Sequence, residues 1–170
     1  SGVPTEPQKL AGLLVRDGKL STGMRADLPA WRAPGDPRAS LTLDVLLRMS
    51  SGLAWREDYV DAGSSDVIEM LFGRGKDDVA AYAAESPLEI APDTVWCYSS
   101  GTSNLVSAIA GRAIGGGQAG VFEYLRRELF DRIGIRRQVL EPDPWGNFLL
   151  SGYDYGTARN WARLGMLYLQ

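Results

Sequence analysis

Histidine is missing from all 170 residues, which removes the commonest general base from any chemistry the chain performs. Proton transfer must then fall to Tyr, Lys, Asp or Glu. A zinc site is a poor fit for the same reason: one cysteine and scattered carboxylates give no ligand spacing, and neither metal nor cofactor is expected. The single cysteine, Cys97, cannot form an internal disulfide, and beside Tyr98 it reads as a small buried apolar residue. Charge of one sign is also lacking. The net charge is -3 and the arginines are scattered along the chain, so no electrostatic footprint for nucleic acid is present. No run is long and apolar enough to span a bilayer, and the first residues lack the charged, apolar and cleavage regions of a signal peptide. Periplasmic and cytoplasmic locations both stay open.

Period-two alternation is scarce, and helical spacing dominates what is there. The length suits one domain with a real core. Residues 1–9, with Pro4 and Pro7, read as an irregular arm or linker, and residues 10–170 as a single helical domain. Leu10-Ala11-Gly12-Leu13-Leu14-Val15 resembles the back end of a buried helix. Thr42 is expected to cap a helix with Leu43, Leu46 and Leu47 on one face, and Ser65 a second with Val67, Met70 and Leu71. Asp77 to Ala84 makes a further short helical stretch, with Val79 and Tyr82 inward. From Ser103 the spacing of Leu105, Ala108 and Ile109 predicts another helix, ended by Gly115-Gly116-Gly117. Phe122, Leu125, Leu129 and Ile133 form the strongest amphipathic repeat, with Gly134 as its stop, and a last helix from Thr157 carries Trp161, Leu164 and Tyr168.

Residues Trp96-Cys97-Tyr98-Ser99-Ser100-Gly101 are the most informative stretch. Pro87 and Pro92 enforce an extended approach to a helix, which sets a phenol and two hydroxyls at the junction. A phenol acts as a base only when its pKa, normally about 10, is lowered, and a nearby ammonium is the usual device. Tyr98 is therefore either a base with a cationic companion or a partly buried aromatic whose hydroxyl finds a backbone partner. Ser99 and Ser100 either cap the helix or serve a site. The loop Trp55-Arg56-Glu57-Asp58-Tyr59 mixes aromatic and charged residues, and it either packs on the surface or borders a cleft.

Four landmarks in order carry a resemblance. Leu41-Thr42-Leu43-Asp44-Val45-Leu46-Leu47-Arg48-Met49-Ser50-Ser51-Gly52-Leu53 resembles the "T-x-x-x-L-L-x-M-x-S-G-L" segment of the serine β-lactamase and penicillin-binding-protein superfamily, in its class C, esterase and 6-aminohexanoate-dimer hydrolase branch. Tyr98-Ser99-Ser100 resembles its Tyr-x-Asn or Tyr-Ser-Ser element, Leu129 to Ile135 its "L-x-x-P-L-G-M" helix end, and Gly156 to Gly165 its "x-T-A-x-D-L-A-R-x-G" helix. The resemblance implies the helical region of the β-lactamase/transpeptidase-like α+β fold, with most of the sheet missing. It further implies acyl transfer to a serine, with an amide, lactam or ester as substrate of the intact parent. On it, Tyr98 is the catalytic candidate, and Ser100 and Tyr59 are substrate-binding candidates. The family's Ser-x-x-Lys is not found: counting back from Ala11-Gly12 puts Ser1 at the nucleophile and Pro4 at the lysine. Activity of the chain alone is accordingly not expected. A non-catalytic binding module, or a degenerate relative keeping a cleft without turnover, is the alternative, and a lone helical unit is expected to expose an apolar face that favours self-association or a partner.

Overall fold

A computed structural model describes residues 5–169. Helix α1 (Thr5–Arg16) begins inside the stretch expected to be irregular. Pro7 falls in its first turn, where the missing N–H is harmless because those donors have no intrahelical acceptor. Residues 5–9 are thus helical rather than part of an arm, and Ser1 and Pro4 lie outside the described residues. Leu10, Ala11 and Leu14 are fully buried, as the back end of a buried helix requires.

Short helices follow, each opened by a side chain that accepts an otherwise unpaired backbone N–H. Thr42 caps α2 (Leu43–Leu47), Ser65 caps α3 (Asp66–Phe72) and Asp78 caps α4 (Val79–Ala84). The next helix, α5 (Ser100–Ile114), starts three residues earlier than its apolar spacing suggests, with Ser99 as its cap. The polar first turn Ser100-Gly101-Thr102-Ser103 hides that start, because helical periodicity is read from apolar residues.

Helix α5 is the axis of the molecule. Every residue from Ser100 to Ala110 is buried, and α1, α2, α3 and α4 pack around it together with α6 (Gly117–Leu125). Gly115, Gly116 and Gly117 all have φ between 62° and 77°, so three successive left-handed residues turn the chain from α5 into α6. The repeat from Phe122 to Ile133 does not form one regular helix. After Leu125 it widens into a π-helical turn, Arg126–Phe130, which keeps Leu125, Leu129 and Phe130 all buried, and Gly134 at φ +72° ends it.

Two strands only are found among the described residues. Strand β1 (Val139–Leu140) pairs antiparallel with β2 (Asp154–Tyr155), Val139 opposite Tyr155 and Leu140 opposite Asp154. The last helix, α7 (Ala158–Met166), begins where expected, and Thr157 caps it. Of the three large residues expected on this helix, Leu164 is buried, Trp161 is 40% exposed, and Tyr168, just past the helix end, is 61% exposed. The fold is therefore mainly α, a helical region with little sheet.

Candidate active site

The approach to α5 has no regular secondary structure from residue 95 to 99, ends on an extended Ser99, and is pinned to the turn after α2. Asp93 N–H donates to Ser50 O and Cys97 N–H to Met49 O, each at 2.8 Å. This leaves Cys97 exposed, which corrects the expectation of a buried residue: its backbone, rather than its side chain, faces the frame. Tyr98 follows, half-buried, at the mouth of α5.

The two serines divide the work. Ser99 Oγ accepts Thr102 N–H at 2.9 Å and is the cap. Ser100 is freed from capping and turns to the loop after α2, where its hydroxyl donates to Glu57 Oε1 at 2.5 Å and its N–H to Glu57 Oε2 at 3.0 Å. The same carboxylate accepts Tyr59 OH at 2.6 Å and Trp55 Nε1 at 2.5 Å. Four donors, two on each oxygen, fill the lone-pair sites of one carboxylate.

That arrangement depends on a glycine. A Cβ on Gly101 would stand 2.5 Å from the Trp55 ring, so only glycine in this turn lets the indole lie against α5 and reach Glu57. Trp55 also makes an edge-on contact with Tyr82, ring centroids 6.3 Å apart. The loop is closed by Asp66, whose carboxylate accepts Arg56 N–H at 2.7 Å while its own N–H donates to Arg56 O at 3.0 Å.

The structure brings together all three residues singled out in the sequence, Tyr98, Ser100 and Tyr59, and adds Glu57 and Trp55. Glu57 was visible only as part of a charged loop. A signal existed: Trp55, Glu57 and Tyr59 alternate, and in extended chain residues two apart share a side.

The electrostatics run against a base. Burial pushes the Tyr98 phenol above the ordinary tyrosine range; the nearby Ser100 hydroxyl opposes this and Glu57 adds to it. Among the described residues, no cation is one of the groups that set its titration. Tyr59 is pushed up to about 12, first by burial of its hydroxyl and then by its bond to Glu57, although 63% of the residue is exposed. At neutral pH both phenols are neutral hydrogen-bonding groups. Lys9 of α1 lies with its ammonium over the Tyr168 ring, 5.5 Å from the centroid. No group of three or more His, Cys, Asp or Glu able to hold a metal is found among the described residues.

Residues 10–167 match the family model described as Beta-lactamase, which takes in both α5 with its Tyr98 mouth and α7. The chain belongs to the beta-lactamase family. Among solved structures it is similar to a putative 6-aminohexanoate-dimer hydrolase from Bacillus anthracis, at TM-score 0.75 and 16% identity. The superposition covers 97% of this chain and 46% of that one, so the chain spans less than half the length of that relative. No curated protein matches. The family match and the shared fold bear out the resemblance carried by the four landmarks. No described helix is long and apolar enough to cross a membrane.

Proposed function

We propose that this chain is the helical part of a β-lactamase-type serine hydrolase that cleaves an amide, lactam or ester through an acyl-enzyme. One observation carries the reading: within a beta-lactamase family match, Tyr98 and Ser100 stand side by side at the buried N-terminus of α5. In the complete enzyme a serine hydroxyl attacks the substrate carbonyl, its proton passes to Tyr98, and Tyr98 returns a proton to the leaving amine or alcohol. Water then attacks the ester so formed and frees the serine. Tyr98 needs a cation to begin as a phenolate, and none among the described residues sets its titration, which supports a reading in which the chain alone does not turn over. Ser100 and Tyr59 border the substrate, with Glu57 holding both hydroxyls.

The test compares this chain with a polypeptide that adds a Ser-x-x-Lys helix and the facing strand, using a chromogenic cephalosporin and a short nitrophenyl ester. The chain alone gives no turnover. The longer polypeptide hydrolyses at least one of the two, and Tyr98→Phe lowers its kcat by about a hundredfold or more, the scale of a lost general base. Full activity of the phenylalanine variant would end the assignment.

A second reading, a binding module, draws on the end of the chain. Trp161, Met166, Leu167, Tyr168 and Leu169 are 38–86% exposed, an apolar face suited to self-association or a partner.

A further inference from the structure

Arginine is spread along the sequence, yet the fold gathers three guanidinium-bearing side chains in one place. Arg136 and Arg137, just past Gly134, lie with Arg163 of α7 around an open concavity of about 410 Å3 that Thr157 and Asn160 also line. No carboxylate is among its lining residues.

The three arginines differ from most others in the chain. Arg16, Arg32, Arg38, Arg48, Arg74, Arg126, Arg127 and Arg132 each have a carboxylate partner. Among the described residues Arg136, Arg137 and Arg163 have neither a salt bridge nor a side-chain hydrogen bond. Three acidic groups of the neighbouring chain, Glu128, Asp131 and Asp154, are engaged elsewhere, and Glu141 does not line the concavity. Glu128 is shared by Arg16, Arg127 and Arg132, Asp131 faces Arg126 at 3.8 Å, and Asp154 accepts from Gln138.

Their frame is rigid. Asn160, buried in the first turn of α7, donates through Nδ2 to Arg137 O at 2.7 Å and to Gln138 Oε1 at 3.3 Å, while its N–H is held by Thr157 Oγ1 at 3.2 Å. The backbone bearing Arg137 and the helix bearing Arg163 are thereby fixed to one another. Like charges held around one concavity repel, and an anion between them turns that cost into attraction. Planar guanidinium forks pair bidentately with tetrahedral or planar oxyanions, which sets the ligand class. The chain's net charge of -3 argues against a general affinity for anions and for a local one.

We propose that Arg136, Arg137 and Arg163 form a binding site for a small oxyanion, inorganic phosphate or a phosphate monoester. It lies on elements separate from the Tyr98 junction and stands or falls apart from the hydrolase reading.

Titration calorimetry with inorganic phosphate, and separately with glycerol 3-phosphate, tests it against chloride at matched ionic strength. Saturable binding is expected for at least one, and the preferred arm tells free anion from ester. The Arg137→Gln/Arg163→Gln double variant should bind at least tenfold more weakly, with an unchanged circular dichroism spectrum, while Arg74→Gln binds as the parent does. Heat no different from chloride, or equal binding by the double variant, would overturn the proposal.

Discussion

Helices α5 and α7 belong to the same frame and are finished to different degrees. Along α5 every residue from Ser100 to Ala110 is buried, although the sequence shows no clean apolar stripe there. Helix α7 carries a strong amphipathic pattern, yet it buries only Asn160 and Leu164. A helix buried all round needs small residues on several faces, and Gly101, Ser103, Ser107, Ala108 and Ala110 supply them. Beyond Leu164, Met166, Leu167 and Leu169 stay 38–86% exposed. α5 is thus a completed core and α7 an open edge, in keeping with a chain that spans 46% of its structural relative.

The contrast can be broken most simply with one truncation in each helix. Leu105→Ala removes a fully buried side chain from α5 and should cost roughly 2–5 kcal/mol, whereas Trp161→Ala on α7 should stay within about 0.5 kcal/mol, both read from urea midpoints. Comparable losses would mean that α7 packs as completely as α5. Gly101→Ala sharpens the comparison at the site end. Alanine in an exposed helix position gains about 1 kcal/mol over glycine, but here the new methyl meets the Trp55 ring. A loss of about 1–3 kcal/mol is expected, with a change in Trp55 near-ultraviolet circular dichroism. A stabilised variant with an unaltered spectrum would show that Trp55 does not lie on α5.

Much of this was legible in the residues themselves. The caps Thr42 and Ser65, the helix start at Thr157, the Gly134 stop and the turn at Gly115 to Gly117 each follow from local backbone chemistry, which acts over three or four residues. What periodicity misjudged depends on partners. The early start of α5 is hidden by a polar turn that only tertiary packing buries, and the π turn after Leu125 arises where two apolar faces must both be covered. Cys97 was misplaced because an extended segment anchored through its backbone can leave its side chain in solvent. At the site, Tyr98, Ser100 and Tyr59 were visible as residues, but their common partner was not. Glu57 sits 43 residues before Ser100, and no local rule joins them.

The polar cluster also sets a pH response. A phenol whose pKa is raised on folding contributes stability that is complete below the unfolded value and is lost as pH rises through the folded value. For Tyr59 and Tyr98 that window opens near pH 10, and for Tyr59 it extends to about 12. Unfolding free energy should decline across that range, more gently in Tyr59→Phe. A flat profile would mean that neither burial nor Glu57 raises these phenols.

The decisive measurement is the ultraviolet titration of Tyr98, taken as the difference between the chain and its Tyr98→Phe variant while pH is raised. With burial raising it, Glu57 adding to that and no cation among the described residues to oppose it, the phenol should ionise above pH 10. A phenolate forming near neutral pH would mean that a positive charge stands at the mouth of α5, and that the base is already armed in this chain.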